Sequence, residues 1–204
     1  MRAELSREEK LNVLTHGVMA AAFIVWMCIG VPQTWAAQGT VAGVGILIFF
    51  LCMICMFTAS ALYHAMPAGS AAKDVLHIFD HICIYLAIAG SYTPVCMVAL
   101  RQSSGPALLA AVWAVGVVGM VLTVAKLEIP RWLTSAIYLL MGWLAIFAIV
   151  PLYRALPAAG FAWLLAGGLL YTVGGVLYAV KWPGRNNPRF GCHEIFHVFI
   201  LLGS

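Results

Sequence analysis

The chain has 204 residues, of which 64% are hydrophobic and 9% charged, and its mean hydropathy is +1.00. A soluble domain carries about 25% charged residues, so this composition excludes a soluble globule and predicts an all-α polytopic membrane protein. The net charge of +4 does not indicate nucleic-acid binding, because the basic residues are scattered singly between apolar runs.

We expect one transmembrane domain over residues 1–204, because no hydrophilic block is long enough for a second domain. The six cysteines lie in or at the edges of apolar runs, which argues against a disulfide framework. Cys52 and Cys55 have C-x-x-C spacing, but their apolar surroundings favour ordinary helix residues over a metal or redox pair. Three acids and three bases precede the first apolar run, which is not typical of a cleavable signal peptide.

Seven apolar runs are predicted to form a bundle of seven transmembrane helices. Six of them have about 20 residues, the length that crosses a hydrocarbon core of about 30 Å. Ser6 and Glu9 have capping-box spacing ahead of the first run, and Pro32 to Thr40 is expected to be the first loop. The predicted helices cover residues 13–31, 41–63, 77–99, 105–125, 131–152, 159–180 and 190–204.

The seventh run is short for a membrane-spanning helix. From Gly191 to Ser204 there are 14 residues, which make a helix of about 21 Å. We expect either that this sequence stops before the natural end of the helix or that the helix crosses only part of the bilayer.

The distribution of Lys and Arg predicts the orientation of the bundle. Nine of these residues lie at the amino terminus or in the loops after the second, fourth and sixth runs. The opposite side has two, Arg101 and Arg154. Because cytoplasmic loops carry the excess of basic residues, the amino terminus is predicted to be cytoplasmic.

Ionisable side chains within the apolar runs converge at one depth. Of the seven acids, only Asp80 and Glu194 lie within or at the mouth of a run. His64 ends the second run on the cytoplasmic side, and Asp80, His193 and His197 lie near the cytoplasmic starts of the third and seventh runs. Such residues are costly in hydrocarbon, so their convergence indicates a functional site.

The chemistry that fits this set is a catalytic type of zinc site. His193 and His197 are four residues apart and share one face of a helix, and His64 supplies a third imidazole. Three imidazoles leave one position open for a water that the metal acidifies. Asp80 is predicted to act there as general base, and Ser60, one turn before His64, to hydrogen bond at the same water or at an oxyanion.

The segment from His193 to His197 also fits the H-E-x-x-H signature of zincin proteases, in which the glutamate is the base. A zincin needs a third ligand, and none of the seven residues after His197 ligates strongly. Glu194 is also rotated by about 100° from the face that the histidines share. We therefore interpret it as a neighbour of the site, a role also open to Tyr63, His16 and His81, although packing is the plainer interpretation of His16.

These motifs resemble the hemolysin III branch of the progestin and adipoQ receptor family, from about residue 6 to the end of the chain. The resemblance is carried by Ser60-x-x-x-His64, Asp80, Gly90-Ser91-Tyr92-Thr93-Pro94 and His193-x-x-x-His197, together with Glu8-Glu9-x-x-Asn12-x-x-Thr15-His16-Gly17 near the amino terminus.

The resemblance implies seven helices, a cytoplasmic amino terminus and a zinc ion held by His64, His193 and His197. The adiponectin receptors and, more distantly, the alkaline ceramidases are similar in using such a site. Asp80 and Ser60 are then expected around the water at the zinc. The expected location is the inner (plasma) membrane of a bacterium, with the zinc toward the cytoplasmic side.

Three functions of different classes remain open. The first is zinc-dependent hydrolysis of an amide-linked, ceramide-like lipid that enters laterally from the bilayer. The second is a non-enzymatic receptor or regulator of membrane lipid state in which zinc is structural. The third is a cytolysin or pore, which the sequence does not favour because no run carries a polar stripe. The expected partners are the bilayer and a membrane lipid, with no nucleic acid, and nothing in the sequence indicates an oligomer.

Overall fold

The computed structural model describes residues 5–125, 130–184 and 191–204, and this part contains helices and no strand. A π-helical segment, Val95–Ala99, continues the third helix, and a 3-10 segment, Leu144–Ala148, joins the fifth to the sixth. The helices are α1 (Arg7–Gln38), α2 (Thr40–Ala65), α3 (Ala71–Pro94), α4 (Gly105–Val124), α5 (Arg131–Trp143), α6 (Ile149–Ala155), α7 (Ala158–Val180) and α8 (Cys192–Gly203).

Six helical segments of the described chain are long and apolar enough to cross a membrane. Large apolar side chains on the outer surface are exposed, including Phe147 at 82% and Trp163 at 79%, as expected for a surface that faces lipid. The prediction of a polytopic helical membrane protein is thus confirmed. α8 is apolar but has only 12 residues. The spanning segments are Arg7–Gln38, Thr40–Ala65, Ala71–Ala99, Gly105–Val124, Trp132–Ala155 and Ala158–Val180.

The first helix begins earlier than the apolar run because a polar cap starts it. The Ser6 hydroxyl accepts a hydrogen bond from the Glu9 backbone N–H at 3.1 Å, and the Glu9 carboxylate accepts one from the Ser6 N–H at 3.3 Å. This is the predicted capping box, which satisfies backbone donors at the helix start. α1 therefore includes polar first turns that precede the apolar run.

The loop predicted from Pro32 to Thr40 is wrong, because α1 continues through Pro32 to Gln38. Proline was the reason to expect a loop, but packing of α1 against α2 keeps this segment helical. The Trp35 ring lies on Gly43 of α2 so closely that a Cβ on Gly43 would be 2.5 Å from it. Gly39 alone separates α1 from α2, with a φ of +82° that favours glycine.

Two apolar clusters hold the bundle together. The first joins α1, α2, α3 and α8, and Phe57 of α2 lies at its centre with no exposed surface. The second joins α3, α4 and the fifth span, and includes Tyr85, Val112 and Met141. The first cluster positions the ends of α2 and α8 that carry the histidines.

The fifth span is interrupted between α5 and α6, and Tyr92 of α3 satisfies the backbone there. Its hydroxyl donates to the carbonyls of Met141 and Gly142 and accepts from the Ala145 N–H at 3.0 Å. In hydrocarbon an unsatisfied backbone group costs several kcal/mol, so these bonds stabilise the interruption.

Part of the orientation argument rests on residues outside the described chain. Arg2, Lys126, Arg185 and Arg189 lie there. Lys73, which begins α3, contacts Glu9 near the start of α1, so the two elements share one end of the bundle. That this end is cytoplasmic stays a prediction.

Candidate metal centre

Three histidines from two helices form a compact group at the end of the bundle where Lys73 contacts Glu9. His64 lies in the last turn of α2, and His193 and His197 lie in the first turns of α8. Each offers a ring nitrogen, and these atoms all lie within 4.8 Å of one another. His64 and His197 are buried and His193 is half-buried. Such a cluster can hold a metal ion.

The spacing within this group fits a tetrahedral ion. The Nε2 atoms of His64 and His193 are 3.3 Å apart. Zinc–imidazole bonds of about 2.0–2.1 Å at tetrahedral angles place two ligand nitrogens about 3.3–3.4 Å apart. Three neutral imidazoles are also a donor set that zinc prefers. The chemistry of all three residues, and the separation of His64 from His193, therefore suit a metal ion such as zinc.

His16 of α1 lies directly against this group. Its ring stacks on that of His197, with centroids 4.2 Å apart and planes 16° apart, and meets Phe57 edge-on at 5.2 Å. His16 is 1% exposed. Within the described chain, both its ring nitrogens and Nδ1 of His197 are buried without hydrogen-bond partners. Buried nitrogens are normally paired, so this pocket suits a polar group or an ion.

Ser60 and Asp80 form a separate pair that faces the same cavity as His193 and His197. Ser60 is buried on α2, one turn before His64, and its side chain lies near the Asp80 carboxylate in the wall of this cavity. Among the described residues, Asp80 is not one of the group whose ligand atoms lie within 4.8 Å. Asp80 thus shares the cavity with His193 and His197 and lies outside the ligand set.

Tyr63 and the two histidines of α3 line the cavity next to this pair. The rings of His77 and His81 are 4.3 Å apart, and the His81 Nδ1–H donates to the His77 carbonyl at 2.9 Å. The Tyr63 ring lies 4.8 Å from His64 and 5.3 Å from His77. Tyr63 thus lies between His64 and His77, and roles for Tyr63 and His81 at the group stay predictions.

Glu194 is bound to the backbone of its own helix. Its Oε2 accepts a hydrogen bond from the Gly191 N–H at 2.9 Å, and the side chain is buried. Such an acid, at the third helical position, satisfies the backbone donor of the N-cap. Its negative charge also interacts favourably with the helix dipole. This contact gives Glu194 a structural task at the start of α8.

A cavity of about 1380 Å³ extends from the histidines along the inside of the bundle. It reaches Asp74 near the start of α3, Val95 near its far end, and Ser204 after α8. Most of its lining is apolar. Ile146 of the fifth span and Trp163 and Leu169 of α7 line the cavity with exposed side chains.

Two contacts near the site were not singled out from the sequence. The Lys73 ammonium binds the Glu9 carboxylate at 2.5 Å, and the Tyr138 hydroxyl donates to the His81 carbonyl at 3.1 Å. Both pairs are remote in sequence, so no local spacing reveals them. Asn12, buried one turn before His16, could have been found from its i, i+4 spacing to that histidine.

Comparison with known proteins shows one family over nearly the whole chain. The family described as haemolysin-III related matches residues 5–204. A protein named Hemolysin-3 homolog from Bacillus subtilis (strain 168) is 34% identical over 204 residues, covering 97% of this chain and 90% of that protein. A protein named Hemolysin-3 from Bacillus cereus is 34% identical over 198 residues, covering 97% of this chain and 87% of that protein.

Proposed function

The chain belongs to the haemolysin-III related family, in the hemolysin III branch of the progestin and adipoQ receptors, and from this premise we propose that it is a zinc-dependent hydrolase of amide-linked membrane lipids. One observation carries the proposal. Two imidazoles of a three-histidine group suited to a metal line a large, mainly apolar cavity, and Ser60 and Asp80 line the same cavity.

His64, His193 and His197 are the ligands in this proposal. Zinc at such a site polarises a carbonyl and makes a water nucleophilic near neutral pH. The Asp80 carboxylate would accept a proton from the attacking water and return it to the leaving amine, while the Ser60 hydroxyl would hold the carboxylate in place. His16 keeps the His197 ring in position by stacking on it.

The cavity supports a lipid substrate. It is large and mainly apolar, and in this proposal it opens to the bilayer beside the exposed side chains of Ile146 and Trp163. A lipid can therefore place an amide beside the histidines while its acyl chain stays in apolar surroundings. The site lies on the cytoplasmic side of a bacterial inner membrane in this proposal, as the basic residues predict.

Metal content tests the ligand assignment. Protein purified in detergent is expected to carry about one zinc per chain, a stoichiometry that follows from three ligands at one site. His64→Ala and His193→Ala should lose it, whereas His81→Ala, on the same cavity but outside the group, should keep it. Elemental analysis makes the measurement, and metal retained in both ligand variants would refute the assignment.

Turnover of a fluorescent N-acyl sphingoid lipid tests the reaction. Asp80→Asn should lower the rate by about 10²–10⁴-fold, the typical contribution of a general base, and should leave zinc bound. Asp74→Asn is the matched control, because Asp74 lines the same cavity near its exposed end. Equal rates in the wild type and in Asp80→Asn would exclude this role.

Two other outcomes identify the other functions. Zinc that stabilises the protein, with no turnover of any amide lipid, identifies a regulator with a structural ion. Leakage of liposomes that requires the protein and persists without zinc identifies a cytolysin, the activity that the names of the relatives suggest.

A further inference from the structure

The histidine group separates two cavities of different character. Besides the large apolar cavity there is a polar one of about 380 Å³, which we call the vestibule. Glu8, Glu9 and Asn12 of α1 line it, together with His64 and His193. It lies at the end of the bundle where α1 begins, α2 ends and α8 begins.

The three histidines differ in which of the two cavities they line. His64 lines the vestibule and not the large cavity, and His197 lines the large cavity and not the vestibule. His193 lines both. One face of the group is thus reached from an apolar space and the other from a polar space.

An ion pair lies at the vestibule. The Lys73 ammonium binds the Glu9 carboxylate at 2.5 Å, donates to the Met66 carbonyl at 3.1 Å, and lies 5.2 Å from the centre of the Tyr63 ring. Both charged side chains remain partly exposed, at 15% for Lys73 and 26% for Glu9. The pair ties α1 to the start of α3 and to the end of α2.

We propose that the vestibule is the path by which a divalent metal ion reaches and leaves His64 and His193, and that the Glu9–Lys73 pair is its gate. This inference rests on the proposed function, because it requires an ion at the histidine group. A hydrated cation is costly to move through an apolar cavity, whereas the vestibule offers carboxylates and an amide.

The charges of the vestibule support a cation path. Glu8 and Glu9 bring two carboxylates to the mouth, and Lys73 is the cation opposite them. When Lys73 moves away, the Glu9 carboxylate becomes free to meet an incoming ion and Tyr63 no longer has an ammonium over its ring. With Lys73 in place the path is narrowed and its attraction for cations is reduced.

Metal exchange kinetics test the gate. Protein loaded with Co²⁺ in lipid nanodiscs is mixed with excess EDTA, and the loss of the cobalt visible absorption gives the release rate. Lys73→Met keeps an unbranched side chain only one atom shorter and removes the charge. It should accelerate release by about five-fold, the change that corresponds to losing a partly exposed ion pair. Association of Co²⁺ should accelerate as well.

A second variant and two controls keep the result interpretable. Glu9→Gln also breaks the ion pair, while its amide can still cap α1, so it should accelerate release as Lys73→Met does. Association should not accelerate in Glu9→Gln, because the carboxylate that attracts the ion is lost. Asp74→Asn removes the neighbouring charge, which lines the large cavity instead, and should leave release unchanged. Leu169→Trp narrows the large cavity and should also leave release unchanged.

Blocking the vestibule gives the opposite prediction. Glu8→Cys labelled with a bulky, membrane-impermeant thiol reagent should release Co²⁺ more slowly than the unlabelled variant, with reagent-treated wild type as the control for native cysteines. Unchanged release in both ion-pair variants, or slower release in Leu169→Trp, overturns the gate. If His64→Ala binds Co²⁺ as well as the wild type does, the metal site itself fails, and the gate fails with it.

Discussion

At the scale of single residues, Glu194 separates two accounts of the His-Glu-x-x-His segment. Its carboxylate accepts a hydrogen bond from the Gly191 N–H at 2.9 Å and so starts α8. Glutamine can make the same bond. Glu194→Gln is therefore expected to keep zinc and turnover, whereas Glu194→Ala should lower stability by about 1 kcal/mol. Thermal unfolding and turnover measure the two effects, and lost turnover with bound zinc in Glu194→Gln would restore the zincin account.

His16 can be tested at the same scale, because one substitution can keep the flat shape of its ring while it removes the ring nitrogens. Its ring stacks on His197 and touches Phe57. His16→Phe keeps a flat ring there and should retain zinc, whereas His16→Ala leaves a cavity and should weaken zinc binding by about ten-fold or more, as expected from loss of a buried aromatic neighbour. Titration with a competing chelator gives the affinities. Complete loss of zinc in His16→Phe would show that His16 is itself a ligand.

At the scale of elements, the position of α8 depends on close packing against α7. A Cβ on Gly174 would lie 2.5 Å from the Cβ of Phe199, which cannot move without the helix. Gly174→Ala should therefore displace α8 and weaken zinc binding, although no ligand changes. Gly168→Ala is the control, since nothing lies within 4 Å of its added Cβ and alanine favours a helix by about 1 kcal/mol. Equal zinc affinity in the two variants would contradict this account.

At the scale of the whole molecule, a metal at the histidine group connects α2 with α8, which are distant in sequence. An ion that binds only the folded chain stabilises it by about 4 kcal/mol when its free concentration is 1,000-fold above Kd. We expect a chelator to lower the Tm of the wild type and to leave that of His64→Ala unchanged. Differential scanning calorimetry of the two proteins in nanodiscs measures their Tm values. An equal fall of Tm in both proteins would exclude the histidine group as the cause.

Local patterns are sufficient to predict the number of apolar membrane-spanning segments and the three histidines, although not every helix end or the interruption of the fifth span. Hydrophobic runs predict the helices, and the i, i+4 spacing of His193 and His197 is a property of α8 alone. His64 was added from its depth, which follows from helix length and loop charge. These quantities need no knowledge of how the helices pack.

Contacts that depend on helix packing were not predictable. The stacking of His16 on His197 depends on the rotation of α1 about its axis, which spacing does not determine. The helical segment after Pro32 depends on a tryptophan that fits Gly43 of the next helix. The ion pair of Glu9 with Lys73 joins residues 64 positions apart.

The single-residue connection at Gly39 has a consequence for how the protein is made. α1 and α2 have no loop between them that could stay in water while one helix waits for the other. They must enter the bilayer together as a hairpin, which brings His16 and His64 into place early in translation. His193 and His197 leave the ribosome much later, so the nascent chain cannot complete the three-histidine set. A metal ion held by all three histidines would accordingly be loaded as a step of maturation, after α8 has docked.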